Sequence, residues 1–171
     1  MTVSGQMARR GALALVPRSN EETEQPIWFC GHCGERPALS GAPALDARVC
    51  QSCGLGLLLE TGANAAPKPG GAFLVLDRSL SVCAVSSGAE TLLATAETEA
   101  VNHHVTELLV PAESEGGRHL ASAVTWAARG EEEFRDVFVR PANLFGVRIR
   151  ARIARCGPPQ AALLVFEDPQ R

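Results

Sequence analysis

Two short cysteine motifs constrain the fold of this chain more than any other feature. Cys30-Gly-His-Cys33-Gly34 is followed, after a gap of sixteen residues, by Cys50-Gln-Ser-Cys53-Gly54. In each motif the two thiols can turn onto one point, and the following glycine lets the backbone turn tightly. The spacing is typical of one tetrahedral Zn²⁺, so we predict a structural zinc ion, one per chain, with the ligands Cys30, Cys33, Cys50 and Cys53.

The alternative interpretations of these cysteines are two disulfides, four scattered structural cysteines, or one redox-active pair. Disulfides belong mainly to secreted proteins, and a redox motif would explain one pair but not a matched second pair. His32 lies inside the first motif, and we expect it at the surface because four thiolates complete the metal shell. Residues 26–60 resemble a zinc ribbon, a small fold of two such knuckles on short hairpins. In this segment we expect Trp28 and Phe29 to pack beside the metal.

Composition sets broad limits on partners and compartment. The chain has 171 residues, of which 46% are hydrophobic, enough to form a core. Its formal net charge of −3 gives no general attraction to nucleic acid or anionic membranes. Arg9 and Arg10 precede an apolar run of only about six residues, too short for a signal peptide or a membrane span. We therefore expect residues 1–25 to be a disordered tail, and the protein to be cytoplasmic with no membrane partner.

A second pattern begins after residues 61–71, which are rich in glycine, alanine and proline and are predicted to be a linker. We expect it to let the two domains move relative to each other. Beyond it come two strands, several short helices and three strands, with helical patterns at 97–109 and 120–127 and strand patterns at 134–140, 145–156 and 161–167. Grouped strands around a helical insert favour an α+β fold with an antiparallel sheet and helices on one face.

Residues 72–169 resemble a PAS domain. The resemblance lies in the opening hairpin (residues 73–77 and 80–82), the segment 87–93, and the segment 104–111 that ends Leu-Leu-Val-Pro. It implies a PAS-like five-stranded antiparallel sheet with helices on one face, preceded by the small zinc-ribbon domain. It further implies a domain that senses a small molecule or forms a homodimer, and that passes a signal to a protein partner.

A PAS ligand would lie between the sheet and the helices. The expected pocket residues are apolar and could equally fill an ordinary core: Leu74, Leu76, Val105, Leu108, Leu120, Val124, Val147 and Ile149. A flavin light sensor would need a reactive cysteine in an Asn-Cys-Arg motif, and residues 101–105 contain none. Haem would need an axial histidine, for which His103, His104 and His119 are available. The identity of the ligand stays open.

Three arginines alternate with apolar residues near the C-terminus. Arg148, Arg150 and Arg152 should share one face of a strand. They could bind nucleic acid together with the ribbon, as in a transcription regulator. Alternatively they form a solvated face balanced by carboxylates, which we favour because nucleic-acid binding needs clustered excess positive charge. The candidate carboxylates are Asp136, Glu167 and Asp168.

The sequence contains no recognisable catalytic set. There is no phosphate-binding glycine-rich loop before a helix and no His-Glu-x-x-His motif, and a four-thiolate zinc ion is closed to substrate. We therefore expect a non-enzymatic signalling or regulatory protein. The zinc ribbon would be its structural and interaction module.

Overall fold

In the computed structural model of this chain, the structure describes residues 26–39, 41–112, 116–131 and 134–167. The predicted disordered tail at residues 1–25 lies outside the described residues. Two antiparallel sheets organise the rest. One has two strands, and the other has six.

The smaller sheet carries the cysteine motifs. Strand β1 (Pro26–Cys30) pairs with β2 (Leu58–Gly62), and a 3₁₀ helix (Leu45–Ala47) lies in the loop between them. Its small core contains Trp28, Cys30, Cys50 and Leu58. Trp28 therefore packs beside the cysteines as expected. Phe29 does not, because successive residues of a strand point to opposite faces.

The larger sheet has the strand order β4-β3-β8-β7-β6-β5. Its strands are β3 (Phe73–Leu76), β4 (Val82–Val85), β5 (Leu109–Pro111), β6 (Arg135–Pro141), β7 (Ile149–Cys156) and β8 (Ala161–Phe166). The helices between them are α1 (Ser87–Leu93), α2 (Glu97–Ala100), α3 (Val105–Leu108) and α4 (Gly116–Ala127). The predicted α+β class, a PAS-like antiparallel sheet with helices, is confirmed, and the short strand β5 adds a sixth strand to the expected five.

The helical pattern predicted at residues 97–109 is broken into two single-turn helices. Asn102 has φ 69°, a left-handed conformation that asparagine tolerates better than most residues. Its N–H donates to Val82 O, and Val82 N–H donates to His103 O, so the break ties this segment to edge strand β4. His104 then caps α3 in a capping box with Glu107. Tertiary pairing overrides the local helical pattern here.

The main core lies between the larger sheet and the helices. Alternate residues of the strands, such as Leu74, Ile149 and Leu164, face the helices and are fully buried. Helix α4 contributes the apolar positions that its sequence pattern predicts, namely Leu120, Ala123, Val124 and Ala127.

The opposite face of the larger sheet is covered in part by the smaller one. A second apolar cluster, here called the outer-face cluster, joins the two sheets and consists of Phe29, Leu59, Phe73, Val75, Cys156, Ala161 and Leu163. The rings of Phe29 and Phe73 meet edge to face, with centroids 5.7 Å apart. Thr61 Oγ1 donates to Arg155 O at 2.7 Å, and the backbones of Glu60 and Gly157 form a bridge. The two parts therefore share a core.

The segment predicted as a linker, residues 61–71, is packed against neighbouring parts of the chain. Thr61 and Ala65 are buried. The Arg36 guanidinium donates to Ala66 O at 2.6 Å and to Pro67 O at 2.7 and 2.9 Å. Gly70 N–H donates to Cys33 O at 2.9 Å. In this structure the segment is thus held by contacts at several points, whereas its composition is typical of a flexible linker.

Candidate metal centre

The four predicted ligands are brought together in one place. The sulfur atoms of Cys30, Cys33, Cys50 and Cys53 all lie within 4.8 Å of one another. Cys30 Sγ is 3.6 Å from Cys53 Sγ, and Cys33 Sγ is 3.8 Å from Cys50 Sγ. A tetrahedron with metal–sulfur bonds of about 2.3 Å has edges of about 3.8 Å. All four cysteines are free thiols, so the cluster could hold a metal ion.

The two knuckles are built alike. In the first knuckle (residues 30–34) Gly34 N–H donates to Cys30 O at 3.0 Å, and in the second (residues 50–54) Gly54 N–H donates to Cys50 O at 2.9 Å. Gly34 and Gly54 have φ of 74° and 68°, which a residue with a Cβ adopts only at a cost. The role predicted for these two glycines is confirmed.

Hydrogen bonds and burial set different proton affinities on the thiols. N–H groups of Gly56 and Leu55 lower the pKa of Cys53 to about 6, whereas burial raises the pKa of Cys30 to about 12 and also raises that of Cys33. The N–H groups of His32 and Cys33 each lie 3.4 Å from Cys30 Sγ. A bound cation would replace the remaining thiol protons, because metal ligands must be deprotonated. The donor set fits a metal that prefers tetrahedral sulfur.

Gly56 is a residue of this site that the sequence interpretation missed. A Cβ at this position would lie 2.3 Å from Cys30 Sγ and 2.8 Å from the Cβ of His32. The backbone just after the second knuckle therefore approaches the first knuckle closely enough to exclude any side chain at position 56. The sequence feature that could have indicated this role is the glycine itself, two residues after Gly54. It lies in a segment whose other residues are typical of the start of a strand.

Gly56→Ala is expected to weaken zinc binding by about 10- to 100-fold, the range found when groups that support metal ligands are disturbed. Competition with a chromophoric chelator would measure the affinity. Gly41→Ala is the matched control, because a Cβ there meets nothing within 4 Å. Equal zinc affinities for the two variants would contradict the close approach at Gly56.

The first knuckle is attached to the helices of the larger domain. His32 O accepts from Ser87 N–H at 3.1 Å, in the first turn of α1. Its Nδ1 lies 3.4 Å from Glu97 Oε2, and Glu97 Oε1 accepts from Val85 N–H at 3.1 Å. His32 was expected at the surface, but its side chain is largely buried. Because it sits between two ligands, it connects the metal site to α1, α2 and β4.

The expected pocket residues are mostly core residues. Val147 is the exception, because it is 38% exposed and precedes β7. The predicted strand at 145–156 thus begins too early, and Val147 faces solvent instead of a pocket. Leu108 is partly buried against the core. The remaining residues are buried within it, namely Leu74, Leu76, Val105, Leu120, Val124 and Ile149.

The histidines considered as haem ligands lie outside the buried core. His103 Nδ1 is 2.9 Å from Glu107 Oε2 at the surface. His104 Nδ1 is 2.6 Å from Thr106 Oγ1 and caps α3, and His119 is exposed. These positions do not present an imidazole to the space between sheet and helices.

The arginine face is balanced by carboxylates. Arg150 contacts Asp136 at 2.5 Å and Glu167 at 3.2 Å, and Arg152 contacts Glu167 at 2.5 Å. The guanidinium of Arg148 lies 3.8 Å from the ring centroid of Phe138. The interpretation that we favoured, a balanced solvated face, fits these contacts. Asp168 lies outside the described residues.

Solved structures of PAS domains are similar to this chain. One, from Colwellia psychrerythraea, has 18% identity and a TM-score of 0.46 and covers 57% of this chain and 85% of its own. A PAS domain of an HTR-like protein from Haloarcula marismortui has 17% identity and a TM-score of 0.45, covering 58% and 86%. The PAS domain of nitrogen regulation protein NR(II) from Vibrio parahaemolyticus has 14% identity and a TM-score of 0.42, covering 57% and 88%.

No family model and no curated protein matches the chain. The fold class therefore rests on the molecule's own strand order and on its core between sheet and helices. Fold and site together define a PAS-like α+β domain with an attached module whose four cysteines could hold a metal ion. Within the part of the chain that the structure describes, no helix is long and apolar enough to cross a membrane.

Proposed function

We propose that this protein is a non-enzymatic cytoplasmic signalling or regulatory protein. A zinc ribbon, held by one structural Zn²⁺, is its interaction module, and the PAS-like domain senses a small ligand or forms a homodimer. The observation that carries this proposal is the attachment of the first knuckle to α1 and β4 through Ser87 and Glu97. Through these contacts, a conformational change in either part can be transmitted to the other.

A structural role for the metal follows from its donor set. Four thiolates complete a tetrahedral shell and leave no position open to a substrate. Cys30 and Cys50 are buried, so the ion would be enclosed on the side of the small core. No other group of three or more metal-binding side chains comes together among the described residues. These points support a protein that binds partners rather than one that catalyses a reaction.

An assembly role for the PAS-like domain is supported by its exposed apolar residues. Phe138 lies on the face of the sheet that the ribbon leaves open, and Leu144, Phe145 and Val147 follow in the loop between β6 and β7. Phe145 is 96% exposed. Exposed apolar side chains that follow one another in a single loop are candidates for a protein contact. The alternative of a nucleic-acid-binding transcription regulator loses its main support, because Arg150 and Arg152 are paired with carboxylates.

Native mass spectrometry of the purified chain tests this proposal. We expect one zinc ion per chain, together with either a bound small molecule that leaves on denaturation or a dimer. A small molecule would identify the PAS-like domain as a sensor, and a dimer would identify it as an assembly domain. A metal-free monomer without extra mass would contradict the proposal.

A further inference from the structure

The outer face of β6, β7 and the residues beside them, here called the arginine face, is one connected surface. Core residues alternate with outward-facing residues on both strands, so Arg150 and Arg152 face away from the helices. Phe138 and Arg150 are direct cross-strand partners. The guanidinium of Arg148 lies 3.8 Å from the ring centroid of Phe138, and that of Arg152 lies 5.5 Å from the ring centroid of Phe134.

The arginine face carries more positive than negative charge. Asp136 and Glu167 lie among the arginines, and Glu167 is shared, because it is 3.2 Å from Arg150 and 2.5 Å from Arg152. Arg140 follows on the same side of β6. Among the described residues, the face thus combines four arginines with two carboxylates. A guanidinium has five N–H donors, so these arginines can bind further carboxylates.

The chain enters strand β1 beside this face. Pro26 pairs with Gly62, and Asn64 O, two residues further on, accepts from Arg152 Nη1 at 2.6 Å. Five residues of extended chain span up to about 17 Å. The segment directly before β1, residues 21–25, therefore starts next to the arginine face and is long enough to lie across it.

This segment has the complementary charge. Residues 21–25 include Glu21, Glu22 and Glu24 and no lysine or arginine. In an extended chain, residues two positions apart face the same side at a spacing of about 6.6 Å. Glu22 and Glu24 can therefore match the spacing of Arg150 and Arg152 on β7. Because the segment is tethered to β1, its effective concentration at the face is in the millimolar range.

Other occupants of the arginine face are less favourable. A second copy of this chain would bring an equally positive face, and like charges across an interface are unfavourable. Nucleic acid and anionic membranes bind to clustered cations, but here they would meet the carboxylates of Asp136 and Glu167 within the face. A short acidic segment of the same chain can instead place its carboxylates directly on the guanidinium groups.

We propose that Glu22 and Glu24 bind Arg148, Arg150 and Arg152 of the same chain, so that residues 21–24 cover part of the arginine face. The bound segment would compete with any protein that approaches Phe138 on this face. The contact requires no bound metal, and it is independent of whether the PAS-like domain senses a ligand or forms a homodimer.

Photo-cross-linking within the full chain tests this contact. The photoreactive residue p-benzoylphenylalanine, placed at position 23 instead of Thr23, puts a reactive group between the glutamates. Mass spectrometry of the digested protein locates the adduct. An equal mixture of isotopically light and heavy chains distinguishes adducts within one chain from adducts between two chains.

Two triple variants make the experiment specific to charge. Glu21→Gln/Glu22→Gln/Glu24→Gln, here called the segment variant, neutralises the acidic segment. The control, Glu35→Gln/Asp46→Asn/Glu99→Gln, neutralises three exposed carboxylates elsewhere and changes the net charge by the same amount.

Adducts within one chain are expected at residues 134–138 and 148–152. Their yield should fall at least about fivefold in the segment variant, because the ion pairs of the tethered contact are lost together, and it should be unchanged in the control. High salt should lower it as well. Equal yields in the two variants, or adducts only at other positions, would overturn the proposal. Adducts between two chains would overturn it in favour of a second copy, and the absence of any adduct in favour of a different occupant such as nucleic acid.

Discussion

Phe29→Ala is expected to lower the free energy of unfolding of the PAS-like domain by about 3–5 kcal/mol, although Phe29 belongs to the ribbon. Its side chain is fully buried and meets the fully buried ring of Phe73 edge to face. Truncation would remove this contact and leave a cavity in the outer-face cluster. Denaturant unfolding in a Trp28→Phe background, followed by the fluorescence of Trp126 in α4, measures the effect on the larger domain.

Phe145→Ala is the matched control for this prediction. The same side chain is removed, but Phe145 is 96% exposed, so the expected change is within about 0.5 kcal/mol. If Phe29→Ala shifted the Trp126 transition no more than Phe145→Ala does, the outer-face cluster would not stabilise the larger domain.

Removal of the proposed zinc ion should have the second large effect. A module with so small a core folds only with its metal, so the ribbon of the metal-free chain is expected to unfold. Phe29 and Leu59 would then leave the outer face of the larger sheet and expose Phe73, Val75 and Leu163 to water. The unfolding midpoint reported by Trp126 should therefore fall when a strong chelator is added, and it should return with zinc.

Serine variants provide an independent form of the same experiment. Cys30→Ser removes a buried ligand and should reproduce the effect of the chelator. Cys83→Ser removes an exposed thiol on β4, outside the site, and should leave both zinc binding and the midpoint unchanged. A Cys30→Ser chain with the midpoint of the Cys83→Ser chain would show that the metal site stabilises only the ribbon.

The four-cysteine cluster could be predicted from the sequence because its information is local. Two matched motifs, each with its own glycine, specify the ligands and the turns without reference to the rest of the chain. Gly56 was missed because its role depends on how closely one knuckle approaches the other, which the spacing of the cysteines does not reveal.

The union of the two parts could not be predicted from composition. Glycine, alanine and proline at residues 61–71 suit a flexible linker and a tightly packed turn equally well. One signal was available in β1, where Trp28 and Phe29 are consecutive. Neighbouring strand residues face opposite sides, so two large apolar residues in succession must be buried on both faces of the strand. The small core of a two-stranded ribbon covers only one face, and the other face must therefore pack against another part of the chain.

The class of the larger domain was predictable because grouped strands around short helices leave few arrangements. The exact elements were harder to predict. Residues 97–109 have a helical pattern, but Asn102 interrupts it and Leu109–Pro111 pairs with β6. Pairing between residues far apart in the sequence decided the structure there, and a local pattern does not contain that information.

The measurement that tests the central claim most directly uses the two tryptophans of the chain. The sequence contains two tryptophans and no tyrosine, so Trp126→Phe leaves only Trp28 to report on the ribbon, and Trp28→Phe leaves only Trp126 to report on the larger domain. If ribbon and PAS-like domain form one cooperative unit, the two reporters should lose their native fluorescence at the same denaturant concentration in the zinc-loaded protein. Two separate transitions, with either reporter remaining native after the other has unfolded, would contradict that claim.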